Sequence, residues 1–408
     1  RIPFFQFQAS GDVNGDGAKD LISIGLRVPQ GSIVHIILGP FVSGSVIDLQ
    51  ARAPDIVITT DNNGISSLIV ADVSGDGISD VLIGRPVDRR VDIVAGSTGL
   101  RPGTEISLAQ GGASAVIVGV PGRIPSIASG DINGDHIADI FMGLSDRTLP
   151  DGTLDPNFPG EVYVVFGSGS LLGRRISIGE GQQDVTIRGA ATGADSEFQQ
   201  GDSFGSQVFA MDLNGDGVSD LFVEAFFGEG PKNKFRDSGA AYVILGSGDL
   251  KTGTTLEVGH DEEDVKMFIE DKDKGAHLFF GPSFDINGDG YSDFGFVISR
   301  PIVPPPPPDS FFFEPLNIVL GGPVAAPEIT KAKFQADSSE LVITGANFNG
   351  SIQVEINGVL LERKASFDAS TGRLTIEGTK RQLNLHSGKN ELAVIRRGSR
   401  SNSVKVKG

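Results

Sequence analysis

Short apolar runs recur along the whole chain and are separated by polar, Gly-rich segments. Typical runs are LISIG (21–25), VDIVAG (91–96) and EVYVVFG (161–167). Runs of this length, bounded by glycine, are typical of buried strands. The chain also contains 56 Gly and 22 Pro, which favour turns over helix interiors. The pattern predicts an all-β protein.

An acidic segment of nine residues interrupts these runs five times. The copies occupy residues 12–20, 72–80, 131–139, 212–220 and 285–293. All fit D-x-[NS]-x-D-x-x-x-D, so oxygen-bearing side chains stand at positions 1, 3, 5 and 9. Each copy follows one apolar run and precedes three, except that the fifth precedes two. Repeats of this size indicate stacked units, and four-stranded sheets repeated radially form a β-propeller.

The alternating oxygens resemble the start of a calcium loop of the EF-hand type. A calcium ion takes about six to eight oxygen ligands and would neutralise the repulsion among these carboxylates. We therefore predict five Ca²⁺ sites. The side-chain ligands would be Asp12, Asn14, Asp16, Asp20, Asp72, Ser74, Asp76, Asp80, Asp131, Asn133, Asp135, Asp139, Asp212, Asn214, Asp216, Asp220, Asp285, Asn287, Asp289 and Asp293. The main-chain carbonyl ligands would be those of Ala18, Ile78, Ile137, Val218 and Tyr291. The alternative is a set of metal-free turns, which Asp, Asn and Gly also favour.

Position 6 of the loop is predicted to have a left-handed backbone. His136 occupies it in the third copy, and glycine occupies it in the others, as Gly17, Gly77, Gly217 and Gly290. Glycine adopts positive φ without steric cost, and histidine tolerates it better than most side chains. We expect the third site to be strained but occupied. The second site, where Ser74 replaces asparagine, should bind calcium least tightly.

With five loops in register, residues 1–322 resemble the FG-GAP repeat family, the calcium-binding propeller of integrin α-subunits and many bacterial surface proteins. Phe204-Gly205 and Phe280-Gly281 match its Phe-Gly element, and IGRP (83–86) stands where the family has a GAP-like triplet. Copies 1 to 3 lack a Phe-Gly, and copies 4 and 5 lack a clean GAP. The resemblance implies a β-propeller of four-stranded blades.

Family propellers usually have seven blades, whereas five calcium-loop blades are visible here. The fifth also lacks a fourth strand. We therefore expect an incomplete ring, or one that another segment or molecule closes, because an open sheet edge is a pairing hazard.

Residues 323–408 form a second predicted domain. Alternating segments such as SIQVEINGVLL (351–361) and RLTIEG (373–378), with the tight-turn pair Asn357-Gly358, predict a β-sandwich. ITGANF (343–348) and SNSVKV (401–406) resemble the IPT/TIG group, which implies an immunoglobulin-like domain.

A proline-rich segment lies shortly before this domain. Pro304–Pro308 must be polyproline II, and Phe311, Phe312 and Phe313 follow it. The phenylalanines either form a docking element or fold back onto the propeller.

The charge is divided between the two predicted domains. The net charge is −18, and residues 323–408 contain 13 Lys and Arg against 8 Asp and Glu, which leaves −23 on residues 1–322. An acidic body gains nothing from counterion release, which argues against nucleic acid as a partner. No apolar run approaches the ~18–20 residues of a membrane helix, so no transmembrane segment is expected. The chain lacks cysteine, an initiator methionine and a signal pattern, as a processed secreted chain or a fragment would.

One motif resembles that of a hydrolase. GDSFG (201–205) matches G-x-S-x-G and would make Ser203 a nucleophile. That motif requires a strand-to-helix turn, whereas a strand pattern follows here. The five histidines are scattered, and no acid–base pair stands out beyond the loops. We expect no catalytic residue.

These observations predict a non-catalytic, calcium-stabilised protein, extracellular or at the cell surface, that acts in protein–protein binding, adhesion or structural assembly. The acidic propeller and the basic second domain favour a homo-oligomer or a head-to-tail filament. Two alternatives stay open: a carbohydrate-binding or hydrolytic module that uses inserted propeller loops, and a fragment of a larger adhesin or receptor.

Overall fold

A computed structural model describes residues 6–27, 31–43, 52–60, 64–122, 126–149, 151–155, 157–190, 202–228, 239–258, 265–268, 277–280, 292–301, 311–313, 317–319, 327–346, 348, 352–361, 363, 365–368, 371–396 and 399–407. These residues are all-β, as predicted. Two short 3-10 turns, Leu108–Gln110 and Ile178–Glu180, are the helical elements of the described part. None of its sheets closes on itself.

The strands follow the repeats of the sequence. Repeat 1 comprises β1 (Gln6–Gly11), β2 (Asp20–Arg27), β3 (Gly31–Ile37) and β4 (Ile56–Thr59). Repeat 2 comprises β5 (Ser67–Ala71), β6 (Asp80–Arg85), β7 (Arg90–Val94), β8 (Thr104–Ser107) and β9 (Ala115–Val118). Repeat 3 comprises β10 (Ser126–Gly130), β11 (Asp139–Leu144), β12 (Glu161–Val165), β13 (Arg175–Ser177) and β14 (Val185–Arg188). Repeat 4 comprises β15 (Phe204–Met211), β16 (Asp220–Ala225), β17 (Ala240–Ile244), β18 (Thr254–Glu257) and β19 (Val265–Phe268).

Each of these four repeats forms an antiparallel four-stranded sheet, in the orders β1-β2-β3-β4, β5-β6-β7-β9, β10-β11-β12-β14 and β15-β16-β17-β19. The second strands β6, β11 and β16 are buried at all six of their residues. A strand flanked on both edges and covered on both faces has no solvent side, which explains the continuous apolar runs in the sequence.

A further short strand joins three of these sheets from the next repeat. β8 pairs in parallel with β4, β13 with β9, and β18 with β14. We call β8, β13 and β18 the cap strands. Each lies in the connection between the third and last strands of its own repeat, so each repeat from 2 to 4 extends the sheet before it.

Successive repeats share apolar cores. One cluster combines Ile22 and Ile58 of repeat 1 with Ile83 of repeat 2, and two further clusters join repeat 2 to repeat 3 and repeat 3 to repeat 4. The first strands β1, β5, β10 and β15 also contact one another in that order. The repeats therefore pack in chain order, each against the next.

Repeat 5 is described in part. Its strands are β20 (His277–Phe280), β21 (Phe294–Pro301), β22 (Phe311–Phe313) and β23 (Asn317–Val319), and β21 pairs with the other three. Pro304–Pro308 lie outside the described residues, whereas β22 pairs with Ser299–Pro301 of β21. The segment 311–313 is therefore a strand of this sheet, and both alternatives for its three phenylalanines stay predictions.

The remaining strands form two sheets around a separate core. They are β24 (Glu328–Gln335), β25 (Glu340–Ala346), β26 (Ile352–Ile356), β27 (Val359–Leu360), β28 (Ser366–Asp368), β29 (Arg373–Glu377), β30 (Lys389–Arg396), β31 (Ser399–Arg400) and β32 (Val404–Lys407). One sheet has the order β24-β25-β29-β28, and the other has β27-β26-β30-β31 with β32 on β30. Among the described residues, the apolar core that these two sheets share is formed by residues between 329 and 406. Asn357 and Gly358 have φ of 54° and 77°, as a tight hairpin turn requires.

Candidate metal centres

The acidic loops connect the first and second strands of their repeats. Four of them, residues 12–20, 72–80, 131–139 and 212–220, are described in full. Of the fifth loop, Asp285, Asn287, Asp289 and the carbonyl of Tyr291 lie outside the described residues, and Asp293 is buried immediately before β21. The local geometry below concerns the four complete loops.

The aspartate at position 1 organises the turn. In loop 1, Asp12 Oδ1 accepts the N–H of Gly15 at 2.7 Å, and Asp12 Oδ2 accepts the N–H of Gly17 at 2.8 Å. The equivalent bonds of Asp72, Asp131 and Asp212 are 2.7–2.9 Å long. The chain therefore curls around this carboxylate in every loop.

Positions 3 and 5 are linked to each other. Asn14 Nδ2 donates to Asp16 Oδ2 at 3.0 Å, and the pairs Asn133–Asp135 and Asn214–Asp216 repeat this bond. Ser74 instead donates to Asp72 Oδ1 at 3.3 Å, so Asp76 loses that partner. The amide of Asn14 and the N–H of Ala18 both stabilise the charged form of Asp16; the N–H of Ala18 is the larger cause of its lowered pKa.

Position 6 has the predicted left-handed backbone in all four loops. The φ values are 84° at Gly17, 85° at Gly77, 70° at His136 and 84° at Gly217. The imidazole of His136 is 92 % exposed, so its side chain fits while its backbone takes a conformation that glycine adopts more easily. Gly290 lies outside the described residues.

The aspartate at position 9 is buried and anchors the loop to the sheet. Asp20, Asp80, Asp139 and Asp220 are fully buried. Asp20 Oδ2 accepts the N–H of Val13 at 2.9 Å, and Asp20 Oδ1 accepts the N–H of Gly39, beyond the third strand, also at 2.9 Å. The other three aspartates make the same two kinds of bond.

This anchor explains the glycine that follows each third strand. A Cβ on Gly96, Gly167 or Gly246 would lie 2.3 Å from the carbonyl oxygen of the residue before the position-9 aspartate. Only glycine lets the two backbones approach this closely. The sequence shows these glycines, but their purpose becomes clear only in the structure.

Burial disfavours the charged form of the position-9 aspartates. Desolvation, opposed by the backbone N–H groups that these carboxylates accept, raises the pKa of Asp20 and Asp80, and raises the pKa of Asp139 and Asp220 to about 7. The carboxylates at positions 1 and 5 add repulsion in loops 1, 3 and 4. A bound cation would relieve both effects.

Neighbouring loops are joined by main-chain hydrogen bonds. The carbonyl of Asp12 accepts the N–H of Ser79 in the next loop at 2.8 Å. The carbonyls of Asp72, Asp131 and Asp212 accept from Ala138, Ser219 and Ser292 in the same way. Gly15 and Gly75 also face the position-7 isoleucine of the following loop. The loops thus lie side by side along one edge of the stacked repeats.

The donor set fits a hard divalent cation, because each loop offers three carboxylates, one amide or hydroxyl oxygen and a main-chain carbonyl within nine residues. Over the described residues, however, no group of three or more Asp, Glu, His or Cys side chains is already gathered around one point. The carboxylates at positions 1 and 9 are instead held by backbone N–H groups. Calcium ligation therefore stays a prediction.

Ser203 does not lie in the strand-to-helix turn that a nucleophile elbow requires. Ser203 has φ of 52° and lies immediately before β15, so a strand and not a helix follows it. Phe204 is fully buried with its ring 5.6 Å from that of Tyr242. A Cβ on Gly205 would lie 2.8 Å from the carbonyl oxygen of Glu161. The Phe-Gly pair is therefore a packing element between repeats 3 and 4.

Two buried charged groups were not singled out from the sequence. Arg85 of β6 is fully buried and pairs with Asp92 at 3.2 Å and with Asp88. Glu224 of β16 is 1 % exposed, and its Oε2 accepts the hydroxyl of Ser206 at 2.9 Å. Burial raises the pKa of Glu224 to about 7, although the Ser206 bond opposes this. Arg85 is the arginine of IGRP (83–86), and Glu224 stands in no recognisable motif.

No protein-family model matches the chain. It is 28% identical over 181 residues to phosphatidylinositol-glycan-specific phospholipase D of Bos taurus, and 29% identical over 180 residues to the protein of the same name from Rattus norvegicus. Each match covers 44% of this chain and 18% of the relative, so the chain spans about a fifth of these relatives.

One solved structure, a protein from Lactobacillus plantarum, aligns with 91% of this chain and 84% of its own, at a TM-score of 0.37 and 9% identity. Similarity at that level does not assign a fold. Among the described residues, no helix has the length and hydropathy needed to cross a bilayer.

Proposed function

We propose that the repeats are blades of a calcium-binding β-propeller of the FG-GAP type, followed by an immunoglobulin-like domain of the IPT/TIG type. In this proposal the chain is a non-catalytic extracellular or cell-surface protein for protein–protein binding, adhesion or structural assembly. The observation that carries it is the same loop geometry in four successive repeats, with a buried aspartate at position 9 in each.

The need for a counter-charge supports calcium. Each loop has three carboxylates within nine residues, and in the four loops described in full the one at position 9 is removed from water. The fold holds these groups in place at a cost in desolvation that a divalent cation would offset. Loops of this kind in extracellular modules bind calcium at roughly 10⁻⁴ to 10⁻³ M, so a calcium-rich medium outside the cell suits them.

Protease treatment of intact cells of the source organism tests the location. The expected result is that trypsin, added outside in calcium-containing medium, releases peptides of this chain while a cytoplasmic marker protein stays intact. Recovery of these peptides only after the cells are lysed would contradict a surface or secreted location.

The opposite net charges of the two predicted domains support self-association in a head-to-tail arrangement. Residues 1–322 hold a net −23, and residues 323–408 hold a net +5. Sedimentation velocity of the calcium-loaded chain should show species that grow with concentration and shrink at high salt. A monomer at every concentration and salt level would exclude this form of assembly.

A second candidate function follows from the similarity to phosphatidylinositol-glycan-specific phospholipase D. The chain would then be part of a hydrolase that acts on phosphatidylinositol glycans. Incubation with a glycan-anchored protein on vesicles decides between the two. The first proposal expects no release of the anchored protein. Release by the wild-type chain would support the hydrolase, and release that persists in Ser203→Ala would show that this hydrolase does not use Ser203.

A further inference from the structure

The outer edges of three repeat sheets are covered in one common way. In each, a cap strand from the next repeat runs parallel to the last strand and places a branched aliphatic residue opposite an isoleucine. The pairs are Ile58 with Ile106, Ile117 with Ile176, and Ile187 with Leu256. The edge and its cover are therefore the same structure built three times.

A glycine anchors each cap strand. Gly103, Gly173 and Gly253 have φ of 92°, 83° and 91°, and the N–H of each donates at 2.7 Å to the carbonyl just before the last strand it covers. In every case the aliphatic residue follows three positions later, so the caps share the sequence Gly-x-x-Ile/Leu. Each of the three covered sheet edges therefore pairs with a segment that has this short sequence pattern.

Covered edges are buried. The first residues of the three covered strands, Ile56, Ala115 and Val185, are 0–4% exposed. Their third residues, Ile58, Ile117 and Ile187, are 0–1% exposed. Apolar residues at these two positions are thus sealed from water when a cap strand is present.

The equivalent edge in repeat 4 is different. β19 is the terminal strand of its sheet, and among the described residues no strand pairs with its outer side. Val265, at its first position, is 37% exposed, and Met267, at its third, is partly exposed. An apolar strand edge that a cap strand covers in three repeats thus has no cap strand in the fourth among the residues that the structure describes.

Repeat 5 uses the corresponding stretch of chain elsewhere. After β23, the next described strand is β24, whose Ile329 is 3% exposed in the core of the C-terminal sheets. The N–H of Ile329 donates to Asn402 Oδ1 at 2.7 Å. The described residues that follow β23, those of β24, therefore pack in a different core and do not form a cap strand on β19.

We propose that the outer edge of β19 binds an extended Gly-x-x-Ile/Leu segment of a partner protein, as a parallel strand with its aliphatic residue opposite Met267. This is strand addition, in which main-chain hydrogen bonds give affinity and alternate side chains give specificity. The proposal names a partner class for the protein-binding role above, on which it rests, and it does not depend on the location of the protein.

The chain itself supplies a probe. A fluorescent peptide with the sequence of residues 101–110, RPGTEISLAQ, contains the pattern of β8. Titrated with the full calcium-loaded chain, it should show saturable binding. Replacing its isoleucine by aspartate, or introducing Val265→Asp in the protein, should weaken binding by about tenfold or more. Val87→Asp is the matched control, because Val87 is 70% exposed and lies in the turn between β6 and β7, away from this edge.

Three outcomes would overturn the proposal. The first is no binding of the peptide by the wild-type chain. The second is binding that neither the peptide change nor Val265→Asp alters. The third is self-association of the wild-type chain that Val265→Asp abolishes, because the occupant would then be a second copy. Since the assay uses purified protein, a negative result leaves the proposed cell-surface location intact and refutes the binding edge alone.

Discussion

Two kinds of aspartate share each of the four acidic loops that the structure describes in full, and they have different physical roles. Asp16 is exposed and bonded within the loop, whereas Asp20 is fully buried and accepts N–H groups from the loop and from the end of the third strand. Both are predicted ligands, but only Asp20 also holds the backbone. Substitutions at these two positions should therefore separate metal binding from folding.

We predict that Asp16→Asn lowers the stabilisation by calcium and changes the metal-free protein little, because Asp16 is exposed and asparagine can still accept the N–H of Ala18, losing only the bond from Asn14. Asp20→Asn should destabilise the protein in both conditions, by roughly 1–3 kcal/mol, because its NH₂ group would face a buried N–H donor. Urea unfolding in calcium and in EDTA measures both effects. Equal behaviour of the two variants in EDTA would refute this division of roles.

Glu224 gives a pH dependence that involves no predicted ligand. Its pKa is raised to about 7 in the fold, from 4.5, so the folded state keeps a proton that the unfolded chain releases between these values. Stability should therefore fall as the pH rises through this window, by at most about 3 kcal/mol.

Glu224→Gln should remove this loss. Relative to wild type, the variant should gain stability from pH 4.5 to 7 and show no further change above pH 7, with calcium present throughout. Unfolding free energies from urea titrations at several pH values measure the difference. The exposed Glu105→Gln is the control and should show no such gain; a pH-independent difference for Glu224→Gln would contradict the account.

At the scale of elements, the cap strands contribute more than their position in connecting segments suggests. Ile176 of β13 is 1% exposed, although β13 has only three residues. Ile176→Ala should cost about 2–4 kcal/mol, because it leaves a cavity between repeats 2 and 3. Val87→Ala should change stability by less than about 0.5 kcal/mol. Thermal unfolding of the two variants tests this, and equal small losses would show that the caps are dispensable.

The same elements show what the sequence can and cannot predict. The four strands of each repeat are recognisable as short apolar runs, and the run of the third strand ends at glycine, as EVYVVFG does for β12. The cap strands were not predicted, since three or four residues with mixed polarity look like a loop, and their partners lie 48 to 69 residues away in the preceding repeat. Parallel pairing over such distances leaves no local pattern.

For the acidic loops, position 6 was predictable because only a few residues accept positive φ, and the structure has it at Gly17, Gly77, His136 and Gly217. The burial of the position-9 aspartates and the bonds between neighbouring loops depend on how repeats pack, which no single loop encodes. Glu224 was missed for the same reason: its burial comes from the sheets around β16.

On the scale of the whole molecule, the acidic loops concentrate negative charge along one edge of the repeats. Residues 1–322 hold a net −23, and five bound calcium ions would add ten positive charges. Such neutralisation would stabilise the stacked repeats as a unit, because neighbouring loops are joined through their main chains. Loss of calcium should consequently weaken all the repeats together.

The number of bound calcium ions, measured together with the melting temperature in the presence and absence of calcium, tests this account most directly. In equilibrium dialysis against about 10 mM calcium, which exceeds the roughly 10⁻³ M upper limit of the expected dissociation constants, elemental analysis should find about five more Ca²⁺ per chain on the protein side than in the buffer, one for each acidic loop. The melting temperature should fall when EDTA removes them and recover when calcium, but not magnesium, is restored. A chain that retains no calcium and melts at the same temperature with and without EDTA would contradict the account.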